Sequence, residues 1–287
     1  MRKFLLRSTL FISILVAYLV ANYLINRILI IKNPPKVHAA TLVMGDSHTM
    51  TSIDPGLLKR AQNISQSAEP YPVSYFKLKE LIKFNKIDTI YLGFSFQNIS
   101  AFNDKKFSDP EWSKEMFDRT YSLIPLSSLE DFEIDRMTYS RSVFENMMIF
   151  PKANHLTYLG SFKKLRKILR KSKNKPQIAI NRHFYFKKEV IEISNLSISY
   201  LDSIRQVTED NHIFLILINT PLHRSYRELI PKEIKDSYYK LAEDLTQKNI
   251  NVFDYSEREL PDEYFADYDH LNFQGAQAFT KLVFQNQ

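Results

Sequence analysis

The sequence of 287 residues contains no cysteine. Disulfides, thiolate metal sites and cysteine nucleophiles are therefore excluded. So is a bacterial lipoprotein anchor, which needs a cysteine to carry the lipid. Glycine is scarce, five residues in all, and three of them (Gly45, Gly93, Gly275) stand in or beside the stretches that matter below. There is no internal repeat and no low-complexity tract. A general excess of positive charge is missing too. The 39 Lys plus Arg exceed the 32 Asp plus Glu, but residues 161–175 alone carry eight basic side chains and no acid (Lys163, Lys164, Arg166, Lys167, Arg170, Lys171, Lys173, Lys175). The rest of the chain is close to neutral, which argues against a nucleic-acid binder. The seven histidines are scattered and their spacing suggests no metal cluster; no cofactor is indicated either.

What is present is the composition of a folded chain, 44% hydrophobic and 25% charged, long enough for one large domain or two small ones. Residues 8–26 form an uncharged run of 19 residues, close to the ~20 that cross a hydrocarbon core as a helix. Arg2, Lys3 and Arg7 precede it; Arg27, Lys32 and Lys36 come after it, a balance slightly in favour of a cytoplasmic N-terminus. Val37-His38-Ala39 would suit a signal-peptide cleavage site. It lies far from the apolar run, however, and cleavage there would cut into the first strand. A retained anchor over residues 1–32 is expected, joined to the rest by a stiff Asn33-Pro34-Pro35-Lys36 spacer.

Residues 39–44 read as a buried strand, 55–61 as a helix, 63–65 as a short second strand and 74–84 as a helix with one apolar face. Residues 87–94 are rich in β-branched and aromatic side chains and read as a third strand. Residues 98–186 break this rhythm as a mostly helical insertion that ends in the basic run; residues 162–169 have the spacing of a basic amphipathic helix. Such a helix suits an anionic lipid or polymer, or simply a solvated face. The rhythm returns with a helix at 189–210, a central strand at 213–218, a helix at 232–248, a strand at 250–254 and a closing helix at 275–284. Alternating strands and helices predict an α/β domain on a parallel sheet.

Gly45-Asp46-Ser47-His48-Thr49 comes directly after the first strand. A serine there stands at the carboxyl edge of a sheet, where open α/β sheets bind ligands, but serine is also a common helix cap. A nucleophilic serine needs a base, and the base needs orienting. Asp267-Tyr268-Asp269-His270-Leu271-Asn272 offers His270 as the base and Asp267 as its partner, with Asp269 a competitor. The same spacing also serves an ordinary capped loop. Donors for an oxyanion are the N–H groups of Ser47 and Ala68 and a side-chain amide of Gln97 or Asn98.

The set GDSHT at 45–49, NISQSA at 63–68, GFSFQN at 93–98 and DYDHLNFQGA at 267–276 resembles the SGNH (GDSL-like) hydrolase superfamily. The resemblance implies a three-layer, flavodoxin-like α/β fold with about five parallel strands. It also implies Ser47 as nucleophile with Asp267 and His270 as its partners. The second-block glycine of the family falls at Ala68, and Ser95 stands where the family usually has asparagine. Ser95-Phe96-Gln97 is similar to a Ser-Pro-Gln segment of the membrane-anchored D-alanyl transfer protein of teichoic acid D-alanylation. The expected organisation is an anchor (1–32) and a hydrolase-like domain (33–287) containing the 99–186 insertion. The protein would sit in the bacterial cell membrane as a single-pass protein with its domain extracytoplasmic. The expected activity is that of an esterase or O-acyltransferase on an acylated carbohydrate polymer. The alternative is a non-catalytic partner of a multi-span membrane acyltransferase.

Overall fold

Short apolar runs ending in polar turns become the strands, and their order sets where the site can lie. The structure, a computed structural model, describes residues 1–129, 132–169 and 175–284. The chain forms two compact units: residues 1–35 with 105–157, and residues 36–104 with 158–287.

In chain order the elements are α1 (Arg2–Lys32), β1 (Thr41–Met44), α2 (Ser47–Ser52), β2 (Ala61–Asn63), α3 (Tyr71–Leu81), β3 (Thr89–Gly93), α4 (Ser113–Thr120), α5 (Arg136–Val143), α6 (Pro176–Phe184), β4 (Tyr185–Phe186), β5 (Glu189–Val190), α7 (Asn195–Asp210), β6 (Phe214–Asn219), α8 (Arg224–Arg227), α9 (Lys232–Gln247), β7 (Asn251–Asp254) and α10 (Phe273–Phe284).

The larger unit is a three-layer α/β structure with helices on both sides of a parallel sheet. The sheet runs β2-β1-β3-β6-β7. Its register pairs Thr41 with Ala61 and Thr89, Gly93 with Ile218, and Asn219 with Asp254. Leu42, Val43, Ile90, Leu92 and Leu217 are fully buried, as continuous apolar strands covered on both faces require. The strand order reverses between β1 and β3. In a doubly wound sheet that reversal opens a crevice at the carboxyl ends of the two strands. Gly45 and Gly93 stand on its two sides: a Cβ on Gly45 would lie 3.1 Å from the Gly93 nitrogen and 2.8 Å from Thr49 Oγ1. Gly45 also has φ +131°, a conformation other residues rarely take.

Several local expectations change. Residues 55–61 hold only a 3-10 turn, Pro55–Leu57, started by the Asp54 side chain accepting from Gly56 N. The second strand then begins at Ala61, two residues earlier than expected. The helix expected from 189 starts at Asn195, where Ser194 Oγ accepts from Ser197 N at 2.7 Å; residues 185–190 form a small antiparallel hairpin instead. Residues 162–169 are not helical. Their backbone groups bond to other elements: Lys163 N to Met50 O, Leu169 N to Phe265 O, and Leu165 O from Phe273 N. Leu169 is buried and Phe162 and Leu165 half-buried, so the apolar residues fasten a strap rather than line a helix. The end of the basic run, with Arg170, Lys171 and Lys173, lies outside the described residues.

In the smaller unit, α1 is long and apolar enough to cross a membrane, and none of its most apolar 18-residue window is buried. The same unit holds α4 and α5, the latter running on into a π turn, Phe144–Met148. Asp135 caps α5 through Met137 N and Thr138 N. Asp118 accepts from Ser142 Oγ and Asn146 Nδ2, and Phe107 packs with Phe117 and Phe132.

Candidate active site

Ser47 is the first residue of α2, but it does not cap it. The cap is Asp46, whose Oδ1 accepts the His48 backbone N–H at 2.9 Å. The capping role that the sequence left open for the serine thus falls to its neighbour. With the cap taken by its neighbour, Ser47 Oγ lies 2.8 Å from His270 Nε2. Ser47 is half-buried, whereas Met44, Gly45, Asp46, His48 and Thr49 around it are buried. Ser47 is thus the most exposed residue of the turn.

His270 stands on the loop that precedes α10. Asp267 shapes that loop by accepting the backbone N–H of His270 at 2.8 Å and of Asp269 at 3.2 Å. The same carboxylate reaches His270 Nδ1 at 2.9 Å and 3.2 Å with its two oxygens. It therefore serves both of the roles expected of Asp-X-X-His, loop cap and imidazole partner. A proton on Nδ1, held by Asp267, leaves the Nε2 lone pair facing the Ser47 hydroxyl. Asn272 Oδ1 then accepts Gly275 N at 3.0 Å and starts the helix. Gly275 is needed because a Cβ there would sit 2.2 Å from Tyr264 O.

A second polar row backs the first. The Asp46 carboxylate also accepts from Gln97 Nε2 at 3.1 Å and Asn98 Nδ2 at 3.0 Å. Gln97 Nε2 lies 2.8 Å from His48 Nδ1. The same His48 Nδ1 lies 3.3 Å from Asp46 Oδ1. The His48 ring stacks on His270 with centroids 4.8 Å apart. The Asp269 carboxylate spans the two, 3.8 Å from His48 Nε2 and 3.5 Å from His270 Nδ1. His183 approaches His48 edge-on at 6.5 Å, with its Nδ1 2.7 Å from the Tyr226 hydroxyl.

These neighbours set the charges. Burial alone would lower the pKa of His270; the Asp269 carboxylate beside it, together with Asp267 through its hydrogen bond, outweighs this and holds it well above the usual histidine value. Burial likewise opposes ionisation of Asp46, yet His48 and the hydrogen bonds it receives hold its carboxyl well below the usual range.

The middle blocks behave differently from expectation. Gln97 and Asn98, expected to point an amide at the oxyanion, give those amides to Asp46 and His48. Ser95 caps the 3-10 turn after it, with Ser95 N and Oγ both donating to Asn98 Oδ1 at 3.0 and 2.6 Å. A serine with an amide three residues later is a capping-box signal, and the sequence carries it. Ala68 stands at φ +58°, a left-handed conformation that glycine takes more readily. Its loop is tied to the nucleophile turn by Gln66 N donating to Gly45 O at 3.0 Å. Behind the loop, the fully buried Lys77 donates to Glu69 at 2.5 Å and to Ile64 O at 3.0 Å. Asp46, His48 and His183 belong to the site but do not stand out in the sequence; the generic motif of two of them and the distant position of the third hide them.

Spacing along the chain suggests no metal set, yet folding brings His48, Asp269 and His270 together with donor atoms all within 4.8 Å of one another. These residue types suit a transition metal. His270 would join such a set only by giving up Ser47 or Asp267.

A protein-family model matches residues 113–287, more than half of the chain and including the last block. No curated protein matches the sequence significantly. Among solved structures the chain is similar to a protein assigned as an acylhydrolase from Bacteroides fragilis, at 11% identity and a TM-score of 0.41 over 88% of each chain. It is also similar to a protein assigned as a platelet activating factor from Streptococcus pneumonia, at 12% identity and 0.44 over 98% of each. A GDSL-like lipase from Bacteroides thetaiotaomicron is similar at 11% identity and 0.42, over 88% of this chain and 89% of that one. Scores this low lend no weight to a shared activity; what counts is the chain itself. The first and last blocks, which resemble the SGNH (GDSL-like) hydrolase superfamily in sequence, meet in space through Ser47 and His270.

Proposed function

We propose that the protein is a membrane-anchored serine esterase or O-acyltransferase that works through an acyl-serine. The observation that carries this is the series Asp267, His270, Ser47, joined at 2.9 and 2.8 Å, with the serine released from capping. His270 Nε2 takes the Ser47 proton as Oγ attacks an ester carbonyl. The tetrahedral intermediate collapses, and His270 returns the proton to the departing alcohol. Water or a sugar hydroxyl, deprotonated in turn by His270, then takes the acyl group, and His270 returns that proton to Ser47 Oγ as the acyl–oxygen bond breaks. Asp267 keeps the Nδ1 proton in place and stabilises the imidazolium. Backbone N–H groups of Ser47 and Ala68 are the proposed donors to the oxyanion, with no side-chain amide from the third block.

Membrane anchoring rests on α1, whose apolar surface is exposed over its length and is larger than water-facing proteins tolerate. An extracytoplasmic domain and an acylated envelope carbohydrate are the proposed setting, supported by the slight charge preference around α1 and by the similarity of 95–97 to the D-alanyl transfer protein. One observation favours the non-catalytic alternative: the third-block amides are spent on Asp46 and His48.

Labelling of the full chain with a fluorophosphonate probe tests the reading. Label on the wild type, lost in Ser47→Ala and in His270→Ala, is expected. A folded wild type that takes no label would overturn the enzyme and leave the partner of an acyltransferase. Transfer of labelled acyl groups to a polysaccharide, against release to water, separates transferase from esterase.

A further inference from the structure

The apolar face of α1 is interrupted on one side by Tyr18, Asn22 and Asn26, and the structure shows what these polar residues do. Tyr18 Oη donates to Ile149 O at 2.6 Å, and Asn22 Nδ2 donates to the same carbonyl at 3.0 Å. Asn26 Nδ2 donates to Met147 O and Phe150 O, both at 2.9 Å. Asn26 Oδ1 accepts from Lys152 N at 2.7 Å. Asn22 and Asn26 are the buried residues of an otherwise exposed helix. All of these groups lie within the smaller unit.

The acceptors are not arbitrary. They are the carbonyls that α5 and its π turn leave without partners as the helix ends. On a water-facing surface the solvent would satisfy them. In hydrocarbon nothing would, and irregular backbone is found at membrane depth only where protein groups satisfy it. Polar side chains in a spanning helix carry the complementary cost. Here each set removes the other's cost.

Depth is set by helix geometry. If Arg7 and Arg27 bound the span, Asn26 lies at its edge. At 1.5 Å per residue, Asn22 is about 6 Å and Tyr18 about 12 Å further in. The Ile149 carbonyl, held by both, is then inside the hydrocarbon. The chain around it suits that place. Residues 146–151 (Asn-Met-Met-Ile-Phe-Pro) carry no charge, and Phe144 and Phe150 are 43% and 64% exposed. Arg141 and Glu145, paired at 2.7 Å, and Lys152 flank the tip on either side.

We infer that residues 147–150 form a re-entrant tip that enters the lipid leaflet at the C-terminal end of α1 and rests on Tyr18, Asn22 and Asn26. The occupant of its exposed apolar face is phospholipid acyl chain. The protein then grips the membrane at two points, a span and a tip, which fixes the smaller unit against rotation about α1. The inference rests on α1 being a membrane span.

Tryptophan quenching separates the two ideas, since Trp112 is the sole tryptophan. The full chain carrying Trp112→Phe is reconstituted into phosphatidylcholine vesicles with and without brominated acyl chains. Single tryptophans are placed by Phe150→Trp, Phe144→Trp, Leu15→Trp within α1, and Met137→Trp at the far end of α5. Loss of most of the emission by Phe150→Trp and Leu15→Trp is expected, with Phe144→Trp intermediate and Met137→Trp unchanged. Quenching of Leu15→Trp without quenching of Phe150→Trp overturns the tip and leaves the anchor, placing water or a protein partner on that face. Equal quenching at Phe150→Trp and Met137→Trp overturns it too, because the whole of α5 would then lie against lipid. An unquenched Leu15→Trp removes the anchor and the tip together.

Discussion

Ser47 Oγ and His270 Nε2 lie 2.8 Å apart although 223 residues separate them, and the contact exists because Asp46 has taken over the capping of α2. The division of labour gives a prediction about stability. Ser47→Ala should change unfolding free energy by no more than about 0.5 kcal/mol. Asp46→Ala should cost about 1 kcal/mol for the cap and roughly 1–3 kcal/mol more, because Gln97 and Asn98 lose a buried acceptor. Thermal unfolding of the two variants decides it; equal destabilisation would mean that Ser47 has a structural role after all.

The pH dependence of the site should depend on Asp269. A general base works as the neutral imidazole, so the rate climbs as pH rises through the pKa of His270. Burial lowers that pKa, but Asp269 more than offsets it and keeps it above the usual value. Removing the charge by Asp269→Asn should therefore move the rising limb to lower pH. Asp267→Asn, which disturbs the Nδ1 proton instead, should cut the limiting rate by about 10²–10⁴-fold. Fluorophosphonate labelling rates across the pH range read both effects. A limb that stays put in Asp269→Asn would show that the charge next to His270 does not govern it.

Ala68 should be more comfortable as glycine. A residue with a Cβ in the left-handed region costs about 1–2 kcal/mol, set against the extra freedom glycine has when unfolded, about 0.4–1 kcal/mol. Ala68→Gly should thus raise the melting temperature slightly, whereas Ala68→Val, with a branched side chain at φ +58°, should lower it clearly. A stabilised valine variant would contradict the backbone conformation.

Lys77 and Glu69 form a pair that should survive only whole. Both are almost completely buried, and Ser74 Oγ donates to Glu69 at 2.7 Å. Lys77→Met leaves a buried carboxylate without its partner and should cost about 3–5 kcal/mol. Replacing both, as Glu69→Leu with Lys77→Met, should recover most of that loss. Denaturant unfolding monitored by a probe in the larger unit measures the difference; a double variant as unstable as the single one would show that the loop needs the charges themselves.

Strands β1, β3 and β6 are readable because a run such as Ile-Phe-Leu-Ile-Leu-Ile at 213–218 has few other ways to be buried. The spacing at 162–169 is less secure. Phe162, Leu165 and Leu169 recur as on a helix, but an extended strap with contacts every few residues makes the same pattern. What decides between them is which carbonyl Lys163 N finds, and that carbonyl, Met50 O, lies 113 positions earlier. The primary trio Ser47, Asp267 and His270 is legible because each type is chemically distinctive in its block. The row behind it is not, since Asp46 and Gln97 are ordinary residues until folding closes the 51 positions between them. Tyr18, Asn22 and Asn26 look like mild impurities in an apolar run for the same reason: their partners are more than 120 residues away.

The split of Ser47 and His270 between opposite ends of the larger unit also carries a consequence for timing. At about 5–20 residues per second of synthesis, the serine waits roughly 10–45 s after it is made before its base exists. During that interval β1 can already pair with β2 and β3, but the hydroxyl has no His270 imidazole beside it. On the proposed mechanism, a nascent chain stalled or clipped before the last loop carries the serine without its base and is inactive.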